Sequence, residues 1–238
     1  MESNNLNNPL QAAQLDLVVF DKTGTLTEGG EPKVTDIQCI DTSLPEAVVL
    51  GIALELEGAS GHPLATAIRQ YCEANSASPQ RGSALTETPG RGLRGIFEAL
   101  DKIAVIGNEA WMDAHAAVID GKTAEQLDKW KSEGKSVVLL ALGDASSASP
   151  SFKLAASFAI ADRIRSEAKA VLSKLQDQGI ATWMVSGDNV TTAKAVAHMV
   201  GIPETNVIAG VLPHEKVSIF TVWLIQGLTH TTLPGGQD

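Results

Sequence analysis

Two stretches that lie far apart in this sequence have to meet in one sheet, and no other feature constrains the fold as strongly. Near the end, Ala168, Val171, Leu172 and Leu175 recur at helical spacing, which predicts a helix over residues 166–178 stopped by Gly179. A strand over 180–185 follows, then the loop Ser186-Gly187-Asp188-Asn189, a helix over 191–200 ended by Gly201, and a short strand at Val207-Ile208-Ala209. Strand–helix alternation of this kind builds a parallel sheet. The apolar run Leu15-Asp16-Leu17-Val18-Val19-Phe20 reads as a buried strand with no parallel partner near it in sequence. It must join the distant sheet, and everything between becomes an insertion.

The inserted block has a different character. After Thr27, Glu28-Gly29-Gly30-Glu31-Pro32 is a turn-rich joint. Ala47, Val48, Leu50, Gly51, Leu54 and Leu56 predict a helix from Pro45 that breaks at 57–63 and resumes over 64–72, with Pro63 at its start. Residues 75–83 read as a polar loop. Extended runs are predicted at 93–100, 103–106, 137–142 and 152–160, with a helix over 125–132 ending at Gly134. That is a helix pair on a mostly antiparallel sheet, an α+β module. The expected division is a polar tail with a short helix opened by Pro9 (1–14), an α/β domain from 15–32 and 159–238, and an inserted domain from 33–158.

A chain of 238 residues can bury two such cores. Its 28 acidic against 18 basic side chains argue against a nucleic-acid partner. Cys39 and Cys72 form no metal-binding pattern and are expected to be reduced, in a cytosolic setting. The first residues show no secretory signal, and no run approaches the ~20 apolar residues of a membrane span. The longest late candidate, 217–228, is short and interrupted by Ser218, Thr221 and Gln226. A soluble polypeptide is expected.

Asp21 falls where the first strand ends, the position at which open parallel sheets bind ligands. A carboxylate there can attack phosphorus and form an acyl phosphate. A phosphatase of the haloacid-dehalogenase type would want a second aspartate two residues on, to act as acid and base in the water step. Thr23 stands there and cannot do that work at neutral pH, so the intermediate should be long-lived. The stretch Asp21-Lys22-Thr23-Gly24-Thr25-Leu26-Thr27 resembles the phosphorylation motif of P-type ion-pumping ATPases. The resemblance implies an α/β fold, a haloacid-dehalogenase-like phosphorylation domain carrying an inserted α+β nucleotide-binding domain. It also implies ATP as substrate and Mg²⁺ as cofactor, the metal held at Asp21 and Thr23.

Other stretches extend the likeness over roughly residues 9–216. Ser186, Gly187 and Asp188 resemble the family's Thr-Gly-Asp loop with the hydroxyl kept, and Asp162 resembles its inter-domain hinge. Lys216, in Leu212-Pro213-His214-Glu215-Lys216, looks like the lysine that reaches the transferred phosphate. The short helix after Pro9 looks like the stub of a stalk leaving a membrane. Ser60-Gly61-His62-Pro63-Leu64-Ala65 is similar to the His-Pro motif of the heavy-metal-transporting subclass. There the histidine, here His62, packs on adenine, and an acid five residues earlier, here Glu57, accepts from its amino group. The family often has an acid just before the histidine; this chain has Gly61.

Gly90-Arg91-Gly92-Leu93-Arg94-Gly95 fits a dinucleotide-binding pattern by letter, but Thr-Glu-Thr-Pro precedes it rather than a strand, and 93–100 reads as extended. Gly90 and Gly92 fit better as the glycine loop of the heavy-metal ATPase nucleotide domain, with Gly107 and Asn108 as its Gly-Asn element. Past Lys216 the family continues to a Gly-Asp-Gly-x-Asn-Asp stretch that completes the magnesium site, and these 238 residues contain none. The expectation is a truncated catalytic portion that binds ATP but phosphorylates Asp21 poorly. Copper is the first choice of transported ion, zinc or cadmium the second, in either case through an absent membrane domain. The alternatives are a soluble nucleotide-binding module without turnover and a dehalogenase-like phosphatase.

Overall fold

The structure is a computed structural model, and it describes residues 15–28 and 32–211. The expected tail and helix over 1–14, the helix opened by Pro213 and the candidate Lys216 lie outside the described residues. In chain order the strands are β1 (Leu17–Asp21), β2 (Lys33–Cys39), β3 (Ser83–Thr88), β4 (Gly92–Phe97), β5 (Lys102–Gly107), β6 (Ser136–Asp144), β7 (Lys153–Ala161), β8 (Ala181–Val185) and β9 (Val207–Ile208). The helices are α1 (Glu46–Glu57), α2 (Pro63–Ala74), α3 (Glu109–Ala114), α4 (Gly121–Ser132), α5 (Ala168–Asp177) and α6 (Val190–Val200).

Two sheets result. β1, β8 and β9 form a parallel sheet in that order, with Asp21 opposite Val185 at the carboxyl ends. The first strand does find its partner some 160 residues away, as the alternation required. It was expected to be buried, yet every residue of β1 is half-exposed. Among the described residues β8 is its one strand neighbour. Leu26, Leu172, Met184, Val196 and Val200 make the core beneath this sheet.

The inserted residues form a six-stranded antiparallel sheet in the order β2-β7-β6-β5-β4-β3. One face packs on α1 and α2 through Ile52, Leu56, Ile68, Phe97, Phe158 and Ile160. The other packs on α3 and α4 through Met112, Leu127, Trp130, Leu139 and Phe152. Each fully buried Leu, Ile or Phe contributes roughly 1.5–3 kcal/mol, so the central strands, buried on both faces, read as unbroken apolar runs. β7 continues to Ala161, past the domain boundary expected at 158.

Two strands and a helix were not anticipated. β2 and β3 each shift register part-way along, between Val34 and Asp36 and between Ser83 and Thr86, which destroys the period of two. β3 is also a mostly exposed edge strand. A strand therefore does precede Gly90, against expectation, but β4 follows where a dinucleotide site needs a helix. α3 is short and starts at Asn108, whose Oδ1 accepts from the Trp111 amide at 2.9 Å as an N-cap.

Candidate active site

Residues Lys22–Leu26 wind into one tight turn after β1, with Gly24 in the left-handed region at φ +79° and the Thr27 amide closing back on the Lys22 carbonyl. The turn exposes Thr23 and buries Lys22, which is 6 % exposed. The lysine ammonium reaches the Asp188 carboxylate as an ion pair. Asp188 is also held by the hydroxyls of Ser186 (3.0 Å) and Ser136 (2.9 Å). Burial alone would raise its pKa. The charge and hydrogen bond of Lys22, aided by the two serines, outweigh that and hold it below the usual carboxylate value.

Ser186 is buried, and its hydroxyl also accepts from the Asp188 amide at 3.1 Å. Among the described residues a Cβ on Gly187 would meet only the Val211 carbonyl oxygen, at 3.4 Å, an ordinary contact. Lys22 and Ser136 were given no role in the sequence reading. A lysine inside a motif announces itself by letter, whereas its burial against Asp188 needs the loops of two strands brought side by side.

The two chain segments that connect the sheets also run together. Thr27 pairs with Ile164, and its hydroxyl donates to Asp162, the expected hinge residue. Arg165 donates to the carbonyls of Thr25 at 3.0 Å and Gly24 at 3.2 Å, so the hinge segment clasps the turn that follows Asp21.

On the six-stranded sheet, Glu57 ends α1 and His62 begins α2. Glu57 is 5 % exposed, and among the described residues none donates a hydrogen bond to its carboxylate. Burial pushes its pKa up to about 7 despite the opposing charge of Arg69. The His62 ring is exposed, and its Nδ1 caps α2 by accepting from the Leu64 amide at 3.2 Å, which leaves the proton of the neutral ring on Nε2. Surrounding protein lowers the His62 pKa; Asp188 and Glu87 pull it upward and Lys22 downward.

The Ser60 hydroxyl donates to Glu87 at 3.2 Å, joining this turn to β3 and so to Gly90. Gly90 turns the chain at φ +74°, and its carbonyl accepts from the Asn108 side-chain amide at 3.0 Å. Gly92 and Gly107 pair across β4 and β5 beneath Trp111. Their glycines answer to the protein itself. A Cβ on Gly92 would lie 2.2 Å from the Ile106 carbonyl oxygen and 2.5 Å from the indole. Gly92→Ala should therefore lower stability by about 1–3 kcal/mol, read as a drop in Tm, while Gly187→Ala should leave Tm unchanged.

Glu57, His62, Gly90, Gly92, Gly107 and Asn108 thus gather on one module, and Asp21, Thr23, Ser186, Gly187 and Asp188 on the other. The Ser136–Asp188 hydrogen bond joins the two.

Residues 15–220 match the family model of haloacid dehalogenase-like hydrolases. The copper-exporting P-type ATPase of Staphylococcus haemolyticus is 35% identical over 208 residues, covering 87% of this chain and 24% of that protein. Copper-exporting P-type ATPase B of Archaeoglobus fulgidus is 38% identical over 213 residues, covering 87% and 27%. The chain spans about a quarter of the length of these relatives. Among solved structures, a zinc-transporting PIB-type ATPase in its E2.Pi state superposes with a TM-score of 0.54 at 28% identity, over 91% of this chain and 32% of that one. The catalytic domain of the CPx-ATPase CopB-B, studied for its changes on nucleotide binding, shares the fold with a TM-score of 0.62 at 24% identity, over 93% and 72%. The chain belongs to the haloacid dehalogenase-like hydrolases, and over most of its length it is similar to copper-exporting P-type ATPases.

Proposed function

We propose that this chain is the ATP-binding and phosphoryl-accepting part of a heavy-metal pump, with copper the first choice of ion because the relatives named above are copper exporters. In this reading the adenine lies on the His62 ring with its amino group donating to Glu57, and the phosphates extend toward Asp21. The observation that carries it is the joining of the two halves, Ser136 of the six-stranded sheet donating to Asp188, which pairs with Lys22 beside the strand end that holds Asp21.

The Asp21 carboxylate oxygen attacks the γ-phosphorus, a bond from oxygen to phosphorus forms, the bond to the β-phosphate oxygen breaks, and ADP leaves. Lys22 and Asp188 fix the loop around the acceptor. The exposed Thr23 offers no base to activate water, so the acyl phosphate persists. This disfavours the phosphatase alternative.

Mg²⁺ would be held by the Asp21 carboxylate and the Thr23 carbonyl. Both are hard oxygen donors, the kind Mg²⁺ takes alongside phosphate oxygens and water. When bound, the metal neutralises the charge on the transferring phosphoryl group.

Calorimetric titration of the full chain with ATP tests the nucleotide half. His62→Asn keeps an N-cap acceptor and removes the ring, and it should weaken binding by about tenfold, in line with the ~1–3 kcal/mol of ring stacking. Wild-type affinity should rise with pH through about 7, because an amino donor favours the ionised Glu57 carboxylate. Glu57→Gln should lose that rise; the titration of ATP itself is common to both proteins and cancels. Wild-type protein that does not bind ATP, or a Glu57→Gln profile that keeps the rise, would sink the reading.

A further inference from the structure

The α1–α2 turn carries both candidate adenine contacts, and a side chain from outside the turn ties it together. Arg69, on α2, sends Nη1 to the carbonyl oxygens of Glu57 (2.7 Å) and Ser60 (2.9 Å) and Nη2 to the Thr66 hydroxyl (3.0 Å). The Glu57 carbonyl, which also accepts from the Ser60 amide at 3.2 Å, lies at the helix end and the Ser60 carbonyl just beyond it, where intrahelical donors run out. One planar guanidinium serves both carbonyls through Nη1 while Nη2 holds the Thr66 hydroxyl, a fork that a single ammonium nitrogen does not reproduce. A Cβ on Gly61 would meet nothing within 4 Å among the described residues, and beside Arg69 the side-chain ties of the turn are the Ser60 hydroxyl to the His62 amide and to Glu87 and the His62 ring to the Leu64 amide.

The same guanidinium also acts as a positive charge on the buried Glu57 carboxylate, against the negative charge of Glu87. Resting on the nucleotide-binding reading above, we propose that Arg69 is the positioning residue of the adenine-binding turn. It fixes the backbone from which Glu57 and His62 project, and it supplies the counter-charge that lets Glu57 ionise in a buried site. Arg69 touches no nucleotide in this account; it acts through Glu57 and the turn.

Two readouts on the full chain separate this role from simple packing. The first is a ligand-free NMR titration of the Glu57 carboxyl in protein labelled with ¹³C-glutamate, assigned by its absence in Glu57→Gln. The second is calorimetric ATP affinity. Arg69→Leu should move the Glu57 midpoint above the wild-type value of about 7 and weaken ATP about tenfold through loss of a pre-organised turn. Arg69→Lys should keep the wild-type midpoint, because the charge remains, with an affinity between the two. If Arg69→Leu does not fold, Arg69→Gln keeps donors without the charge and carries the same readouts. A midpoint unmoved in the uncharged variants, or an affinity within twofold of wild type, overturns the proposal. Failure of the wild type to bind ATP would overturn the nucleotide reading alone, since the titration needs no ligand.

Discussion

Lys22→Met should cost about 3 kcal/mol of stability at pH 7, toward the lower end of what removing one partner of a buried pair exacts, and lower Tm by roughly 6–12 °C. Lys22 and Asp188 keep 8 % and 15 % of their side-chain surfaces exposed, and their contact is direct. Without the ammonium, Asp188 retains two serine hydroxyls and the penalty of burial, which then wins and pushes its pKa up. The sign with pH follows. In the wild type the folded pKa of Asp188 is depressed, so the pair stabilises above the unfolded value of 3.8 and that contribution is lost as pH falls through the folded value. In Lys22→Met the folded pKa is raised instead, so stability is greatest at low pH and falls as pH rises through it. Thermal melts between pH 5 and 8 should show the variant recovering toward wild type on acidification. Adding Asp188→Leu should restore much of the loss at pH 7, because removing both charges spares the burial cost. A variant that melts with the wild type at pH 7 would mean the pair is not closed in solution.

The same pair shows how far the sequence could be read. The parallel sheet, its remote first strand and the antiparallel insertion follow from hydrophobic period and from glycines at helix ends, such as Gly179 at φ +79° and Gly201 at φ +88°. The letters of the Asp21 and Ser186 loops locate both at strand ends. What the sequence hid depends on tertiary approach. β2 and β3 were missed because register shifts interrupt their alternation. Gly92 and Gly107 looked like bare backbone for a ligand, yet each also makes room for the other strand and for Trp111. Arg69 lies seven residues beyond His62, on a helix whose apolar positions gave no hint that one cation would fold back over its own first turn. Ser136 begins a strand far from Asp188 in sequence, and only the packing of α4 and the α4–β6 turn on α6 brings them to 2.9 Å.

Asp21→Asn should abolish acid-stable labelling of the chain by [γ-³²P]ATP with Mg²⁺, and the wild-type label should be small but confined to Asp21. The asparagine keeps the size and most hydrogen-bonding capacity of the side chain while removing the nucleophilic oxygen charge, so folding and ATP binding should persist as the label disappears. Hydroxylamine should release the wild-type label, since it cleaves an acyl phosphate to a hydroxamate and inorganic phosphate and spares phosphoserine and phosphothreonine. The small yield has a physical cause. Charge on the transferring phosphoryl group is neutralised chiefly by the metal, and Asp188 is already committed to Lys22, so raising the Mg²⁺ concentration should raise the yield. The label that does form should decay slowly, because Thr23 cannot activate water. Stoichiometric labelling within seconds at low Mg²⁺ would show that the site holds its metal without further carboxylates. Labelling that survives Asp21→Asn would remove Asp21 as the acceptor and, with it, the assignment of this strand end to phosphoryl transfer.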